Sequence, residues 1–441
     1  MKIVLCVEFY HPSVGGVQEV VRQLAERFSS RGHEVTVATT WLEHRVSRCD
    51  NGVNIVDFKV RGNRVRGLTG EVESYREFLV NADADIVFFY AAQQWTFDAA
   101  WEVLPAIKAR TVLVPCGYSG LYVGAYADYF RALPEVLREI DGLIYHAREY
   151  RDVSFARSSG VDTNSIVIPN GAAVEEFQVP LDPVFRAGIG ISQQSLVLMT
   201  VGTVTGLKGH SELVRAFATA DFEDRDAVLI LNGNRPYRGR GAGDLWNSLI
   251  EIVRGYGPIY AARHLLKMSM VAVGWRGDRV NTVDNWAKRI NEGRHGRKRV
   301  LQMDMPRRQL IQAYLQSDLF VFASNIEYSP LVLYEACAAG LPFLTVPVGN
   351  TEEIVEWTGG GLICDAPRDE EGYTRVQPET LARAIEQLLK DPTEFSRLGE
   401  AGRSASRSRF NWAVLAVEYE QFFQTLLKQD KRGDQSARSF E

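Results

Sequence analysis

Cysteine is scarce in this chain. Its 441 residues hold five, at Cys6, Cys49, Cys116, Cys337 and Cys364. None are paired as C-x-x-C, which excludes a thiolate metal knuckle or a dithiol redox centre and predicts buried free thiols in a reducing compartment. Long apolar runs are missing too. Nothing approaches the about 18 residues of a membrane span, so any meeting with a membrane is from its surface. The apolar stretch within residues 1–7 stops at Glu8, short of the about 7–15 residues of a signal peptide. It is expected to be a first strand. Positive charge is not in excess: 50 Lys and Arg against 55 Asp and Glu leave a net charge of -5. That gives no ground for a nucleic-acid partner and makes any anion site a local one. The dinucleotide fingerprint G-x-G-x-x-G and the triphosphatase loop G-x-x-x-x-G-K-[ST] are both absent.

Against these absences stands a globular composition, 46% hydrophobic and 24% charged, in a chain long enough for two domains. Apolar, β-branched runs at 2–7, 34–39, 86–90, 111–114 and 142–145 alternate with helical periodicity, as in Val17, Val20, Val21, Leu24, Ala25 and Phe28. The alternation pauses at 169–190, where Pro, Gly and Asp become dense. It restarts with strands at 196–201, 228–231, 319–323 and 342–346 and helices at 211–220, 330–339 and 380–389. Two α/β runs joined by a linker predict two doubly wound parallel-sheet domains with a boundary near residue 180. The stretch 235–299 breaks the pattern, and the polar tail after Lys428 is expected to be disordered.

Three loops carry candidate chemistry. His11-Pro12-Ser13-Val14-Gly15-Gly16 lies between a strand and a helix, where glycines let a ligand approach the backbone. Val201-Gly202-Thr203-Val204-Thr205-Gly206-Leu207-Lys208-Gly209 offers amides and one lysine to a phosphate, although Lys208 is equally readable as a solvated side chain. The sharpest is Glu327-Tyr328-Ser329-Pro330-Leu331-Val332-Leu333-Tyr334-Glu335. Strand 319–323 delivers it to the carboxyl edge of a sheet, where open α/β sheets bind ligands. Ser329 is a good N-cap, Pro330 a good first helical residue and Gly340 a good stop. The amides of Leu331 and Val332 at the helix start can bind a diphosphate. Two carboxylates beside a phosphate must face hydroxyls, or else be a dipole contact and a solvated residue.

The segment Glu327–Glu335 resembles the E-x7-E motif of retaining GT-B glycosyltransferases, and Glu335-Ala336-Cys337-Ala338-Ala339-Gly340-Leu341-Pro342 extends the likeness. The chain resembles glycosyltransferase family 4 also at Gly15-Gly16-Val17-Gln18, Val167-Ile168-Pro169-Asn170-Gly171, Lys208-Gly209, Asp318-Leu319-Phe320-Val321-Phe322 and, more loosely, Val348 to Glu353. The resemblance implies an α/β GT-B fold, two Rossmann-like domains facing a central cleft. The acceptor domain would be 1–180, with a C-terminal helix at 411–428 crossing back onto it, and the donor domain 181–410. It implies retaining, metal-independent transfer from a nucleoside-diphosphate sugar of UDP or GDP type, with no further cofactor and no nucleic acid, to a glycan or lipid-linked acceptor in envelope or polysaccharide synthesis. Gly16 and Thr203 would stand beside the donor. Lys208 would pair with its diphosphate, Glu335 hold its ribose and Glu327 its sugar, and the stretch around Met303 and Asp304 would read the base. Trp95 and Tyr118 are the candidate acceptor contacts.

Three departures from the family qualify this. Thr203 stands where the family usually has an arginine. Pro115-Cys116-Gly117-Tyr118 stands where many members have a histidine. The 235–299 segment is longer than usual and carries eleven Lys and Arg against three acids over 254–299, with Trp246, Tyr256, Tyr260, Trp275 and Trp286 interleaved. That insert reads either as a dock for an anionic membrane or phosphate-linked lipid or as an extension packed on its own domain or a neighbouring subunit. The expected location is the cytoplasm, with peripheral contact at the inner face of the plasma membrane under the first reading. The same architecture also serves sugar-nucleotide epimerases and catalytically silent sugar-nucleotide-binding partners.

Overall fold

The computed structural model describes residues 1–234, 279–369 and 372–429. The chain divides into two compact units. Among the described residues the first takes 1–170 and 412–429, the second 171–234, 279–369 and 372–411.

Unit 1 is built on β1 (Lys2–Val7), β2 (Glu34–Thr40), β3 (Val53–Phe58), β4 (Ile86–Tyr90), β5 (Arg110–Val114), β6 (Gly142–Tyr145) and β7 (Asn164–Val167). They lie in the order β7-β6-β5-β4-β1-β2-β3. All run parallel, and a short antiparallel strand, Cys49–Asp50, edges β3. A parallel sheet is covered on both faces, so its central strands read as continuous apolar runs; all five residues of β4 are buried. The helix Gly16–Ser30 covers one face with Val20, Val21, Leu24 and Phe28. The helix Trp412–Leu427 belongs to this unit as well. Its Phe423 ring lies 5.9 Å from both Phe28 and Phe88. Its Glu420 accepts from Arg31 at 2.6 and 2.7 Å and pairs with His33 at 2.7 Å. Burial pushes the Glu420 pKa up, but these two partners outweigh it and hold it below the usual carboxylate value.

Unit 2 repeats the plan with β8 (Leu196–Val201), β9 (Ala227–Asn232), β10 (Lys298–Met303), β11 (Leu319–Phe322), β12 (Phe343–Thr345) and β13 (Gly361–Ile363). The order is β10-β9-β8-β11-β12-β13, again parallel throughout. Each sheet is therefore doubly wound. The winding reverses between β1 and β4 in one and between β8 and β11 in the other, which puts a crevice at the carboxyl ends of those strands.

Several expectations need correction. The division falls at Asn170 and Gly171, before residue 180. The reason is local packing: Phe177 lies 5.8 Å from Tyr314, and Arg186 donates to the Gln316 carbonyl at 2.6 Å. Cys49 is exposed and not buried, while burial pushes the Cys6 and Cys337 thiols up to about 12. Of the basic insert, 235–278 lies outside the described residues, as do Trp246, Tyr256, Tyr260 and Trp275. From 279 the chain is regular. The helix Arg279–Arg289 buries Val283 and Ala287, and Lys298 already opens β10. Three of the supposed surface charges are tied to unit 2 itself. Arg297 donates to Asp226 at 2.7 Å, Lys298 to the carbonyls of Ala218 and Ala220 at 2.8 and 2.6 Å, and Arg299 to that of Gly190 at 2.7 Å. Among the described residues no helix is long and apolar enough to cross a membrane.

Candidate active site

In unit 2 the register of β8 with β11 sets Leu198 beside Leu319 and Met199 beside Phe320. The loops that follow these strands are thereby brought together at the switch point. The fit is close. Gly209, at φ 67°, caps the helix His210–Thr219, and a Cβ there would stand 1.7 Å from the Ala323 carbonyl oxygen. Asn325 donates its amide to the Leu207 carbonyl at 2.9 Å, and the Ser324 hydroxyl reaches the same carbonyl at 3.3 Å. These bonds carry Lys208 to Glu327, and their side chains form an ion pair. Glu327 is an alternative acceptor for the Ser324 hydroxyl, also at 3.3 Å. The lysine side chain is 29% exposed and the glutamate 18%. The pair is thus partly desolvated but still open to a ligand.

The helix after this loop is Leu331–Ala339, with Pro330 at its N-cap. No side chain caps it, so Ser329 does not take the capping role and the start lies one residue later than its sequence suggests. Leu331 and Val332 open the helix beside the Lys208–Glu327 pair, and its N-terminal dipole favours an anion. A third loop closes the arrangement. The Asn350 amide donates to the Tyr328 carbonyl at 2.8 Å, and a Cβ on Gly349 (φ 61°) would meet that oxygen at 2.2 Å.

Glu335 is placed differently from Glu327. Its side chain is 12% exposed and accepts from Arg307 at 2.5 Å and from the Tyr314 hydroxyl at 3.0 Å. Arg307 also donates to Glu176 at 2.5 and 2.8 Å. Burial opposes the Arg307 charge, but the two carboxylates outweigh it and raise its pKa further. Arg307, which no motif in the sequence singles out, is committed to Glu335 and Glu176 and does not replace the arginine missing at Thr203. Thr203 lies in the Lys208 loop, its carbonyl accepting from the Thr205 amide at 2.8 Å. Met303 ends β10, and its carbonyl accepts from the Gly233 amide at 2.8 Å. Asp304 follows it, exposed. A cavity of about 420 Å³ lined by Arg186, Gln193, Arg225 and Asp318 opens at the opposite, amino-terminal edge of this sheet, away from the motif loops.

In unit 1, Gly16 opens the helix Gly16–Ser30 and is exposed. Both acceptor candidates are overturned. Trp95 is fully buried, with its ring 4.8 Å from Tyr75 and its indole N–H on the Thr40 hydroxyl at 2.8 Å. Tyr118 is 1% exposed and packs its ring 5.4 Å from Phe130 and from Phe155. Both aromatic rings went to the core because burying them outweighs exposing them at a loop. Around Tyr118 the backbone is left-handed at three successive residues, Cys116 (φ 62°), Gly117 (φ 81°) and Tyr118 (φ 50°). His146, on the loop after β6, does not stand in for the family histidine. Its Nδ1–H donates to the Ile168 carbonyl at 2.8 Å, its Nε2 accepts from the Tyr90 hydroxyl at 2.7 Å, and burial pushes its pKa down to about 4.

What the loops of unit 1 do form is a polar pocket of about 270 Å³ at the carboxyl edge, on both sides of its own switch point. Glu8, the first residue after β1, faces it, with Asn63, Arg66, Gln93, Ser119 and Tyr126. No sequence motif marks these residues. The one available signal is a carboxylate placed directly after a wholly apolar strand.

Two parallel doubly wound units, one carrying Glu-x7-Glu on its switch-point loop opposite a lysine, define a glycosyltransferase of GT-B architecture. Residues 14–176 match Glycosyltransferase Family 4 and residues 260–405 match Glycosyl transferases group 1. The chain belongs to glycosyltransferase family 4, group 1. The second match begins inside the 235–299 stretch that the motif comparison leaves aside. The N-acetyl-alpha-D-glucosaminyl L-malate synthase of Bacillus anthracis is 22% identical over 98% of this chain and 100% of its own. Among solved structures, sucrose-phosphate synthase from Thermosynechococcus elongatus superposes with a TM-score of 0.69, at 18% identity over 97% of this chain and 99% of its own. Anabaena Alr3699/HepE in complex with UDP and glucose superposes at 0.65, with 15% identity over 96% and 100%.

Proposed function

We propose that this glycosyltransferase transfers a sugar with retention from a nucleoside-diphosphate donor of UDP type, held at the carboxyl edge of unit 2. The carrying observation is the Lys208–Glu327 pair, set beside an uncapped helix N-terminus at the switch point. A diphosphate needs positive potential, which Lys208 and the amides of Leu331 and Val332 supply without a metal ion. Glu327 serves two ends: it fixes the lysine and accepts a hydroxyl of the transferred sugar. Glu335 takes the ribose hydroxyls, already oriented by Arg307 and Tyr314. Met303 and Asp304 bring the end of β10 to the base. Among the described residues no side chain is placed as a nucleophile, because Glu327 is engaged by a cation. The leaving phosphate oxygen therefore takes the acceptor's proton on the face it departs from, and the protein contributes position and charge stabilisation. The UDP preference is supported by the complexes of the HepE neighbour with UDP and glucose. The acceptor reading is a glycan or lipid-linked sugar of envelope or polysaccharide synthesis. Peripheral membrane contact through the insert loses support from Arg297, Lys298 and Arg299, which bind their own unit.

The test is a thermal-shift series with UDP, GDP and ADP, followed by NMR of the product's anomeric centre. A ligand at 100 times its dissociation constant stabilises by about 2.7 kcal/mol, so UDP is expected to raise the melting temperature more than GDP or ADP. An inverted anomeric centre sinks the retaining mechanism. Equal, null shifts with all three nucleotides sink the donor site.

A further inference from the structure

The pocket of unit 1 has a wall chemistry that names a ligand. Glu8 is half-buried at the end of β1, and no hydrogen bond or ion pair involving its carboxylate is found among the described residues. Its backbone, by contrast, is fixed: the Glu8 carbonyl accepts from the Thr40 amide at 3.0 Å and the Thr39 hydroxyl at 3.2 Å. A half-buried carboxylate left without a donor is costly unless something supplies one. The rest of the wall is held rigid. Asn63 donates to the Gln93 carbonyl at 3.2 Å and to the Tyr126 hydroxyl at 3.1 Å, while its own oxygen accepts the Arg66 amide at 2.8 Å. Gln93 accepts from the Gly120 amide at 3.2 Å. The site is therefore pre-formed and polar, and its 270 Å³ lies below the about 300–1,000 Å³ of clefts that take drug-sized ligands. One ring fits it.

Charge decides between ligand classes. Arg66 and Glu8 attract each other, and Asp98, wholly buried behind them, repels Glu8. With both carboxylates ionised the three groups together are one charge negative, so an anionic ligand then enters against the local field, whereas hydroxyls find an acceptor in Glu8. We propose that this pocket binds an uncharged, hydroxyl-rich ring of monosaccharide size, the acceptor end of the transfer, through paired hydroxyls on the Glu8 carboxylate. This deepens the transferase reading given above and rests on it for the word acceptor. The binding claim itself stands apart from that reading.

Saturation-transfer NMR on the full chain tests it, with methyl α-D-glucopyranoside, methyl α-D-mannopyranoside, methyl N-acetyl-α-D-glucosaminide and myo-inositol as neutral probes and glucose 6-phosphate as the charged one. At least one neutral probe is expected to bind. Glu8→Gln and Glu8→Ala are each expected to weaken it by about tenfold or more, the loss of a hydrogen bond to a charged group. The UDP thermal shift, measured on the same samples, is expected to stay at the wild-type value and reports that the variants are folded. Tighter, Arg66-dependent binding of glucose 6-phosphate overturns the proposal in favour of an anionic acceptor. Neutral binding that survives both Glu8 variants, or no neutral binding in a protein that binds UDP, also overturns it. Glu8-dependent neutral binding in a protein that ignores UDP upholds the pocket and removes only the donor reading.

Discussion

Lys208 and Glu327 stand 119 residues apart in sequence and meet because two strand ends are neighbours. The lysine charge matters most when the glycosidic bond breaks and charge grows on the diphosphate. Lys208→Ala is therefore expected to lower kcat by about 10²–10³-fold and to change stability by less than about 1 kcal/mol, since the pair is still wet. Steady-state kinetics with a fixed donor checks this, and a variant that raises KM with unchanged kcat contradicts it. At Glu8 the same scale gives a pH effect. Burial, with Arg66 lowering and Asp98 raising, brings its pKa up to about 7 from 4.5. The folded protein then holds a proton that the unfolded chain has released between pH 4.5 and 7, so stability falls as pH rises through that window. Glu8→Gln removes this loss. It is expected to match the wild type in urea at pH 5 and to exceed it at pH 8 by at most about 3 kcal/mol. Asp98, pushed up to about 6 by its burial, leaves a background slope of the same sign in both proteins. Equal stability gaps at the two pH values would remove Glu8 as the source.

Among elements, the loop before the helix His210–Thr219 holds the site's geometry. Two separate causes make Gly209 a glycine. Its left-handed backbone costs any other residue about 1–2 kcal/mol, and a Cβ would strike the Ala323 carbonyl, which only backbone movement can relieve, at about 1–3 kcal/mol. Gly160 shares the first cause alone: its φ is 60°, and a Cβ there would have nothing within 4 Å. Gly209→Ala is expected to cost about 2–5 kcal/mol and to lower transfer activity, because it drives the Lys208 loop from the strand that carries Glu327. Gly160→Ala is expected to cost about 1–2 kcal/mol with activity retained. Denaturant titration beside an activity assay separates them, and equal losses in both measurements would deny the close approach.

For the molecule as a whole, the helix Trp412–Leu427 closes a core begun by the helix Gly16–Ser30 and β4. Phe423 is fully buried against Phe28 and Phe88. Phe423→Ala is expected to destabilise unit 1 by about 3–5 kcal/mol, visible as lost hydrogen-exchange protection in β1 and β4. Unchanged protection there would show that the helix only rests on the unit and does not complete it. The contact links residues far apart in sequence, so no local pattern near Phe28 foretells its partner.

Residue patterns alone settled the class of fold, because strands buried on both faces must be apolar throughout. The central strands β1, β4, β5, β6, β8 and β11 were legible for that reason. The strands they missed, β3, β7, β10 and β13, lie at or next to sheet edges, where exposed positions such as Arg299 and Ser165 dilute the run. The motif was legible as well, Glu327 and Glu335 at fixed spacing on one loop and helix. What each glutamate touches was not. Only the tertiary structure decided that Glu327 takes Lys208 while Glu335 takes Arg307 and Tyr314, since Lys208 arrives on the loop after another strand and Arg307 and Tyr314 on the helix Arg307–Leu315. It also sent Trp95 and Tyr118 inward and turned Glu8, Asn63, Arg66 and Gln93 onto one pocket. A side chain's partner depends on which strand ends are neighbours, and strand order is a property of the folded sheet and not of any stretch of sequence.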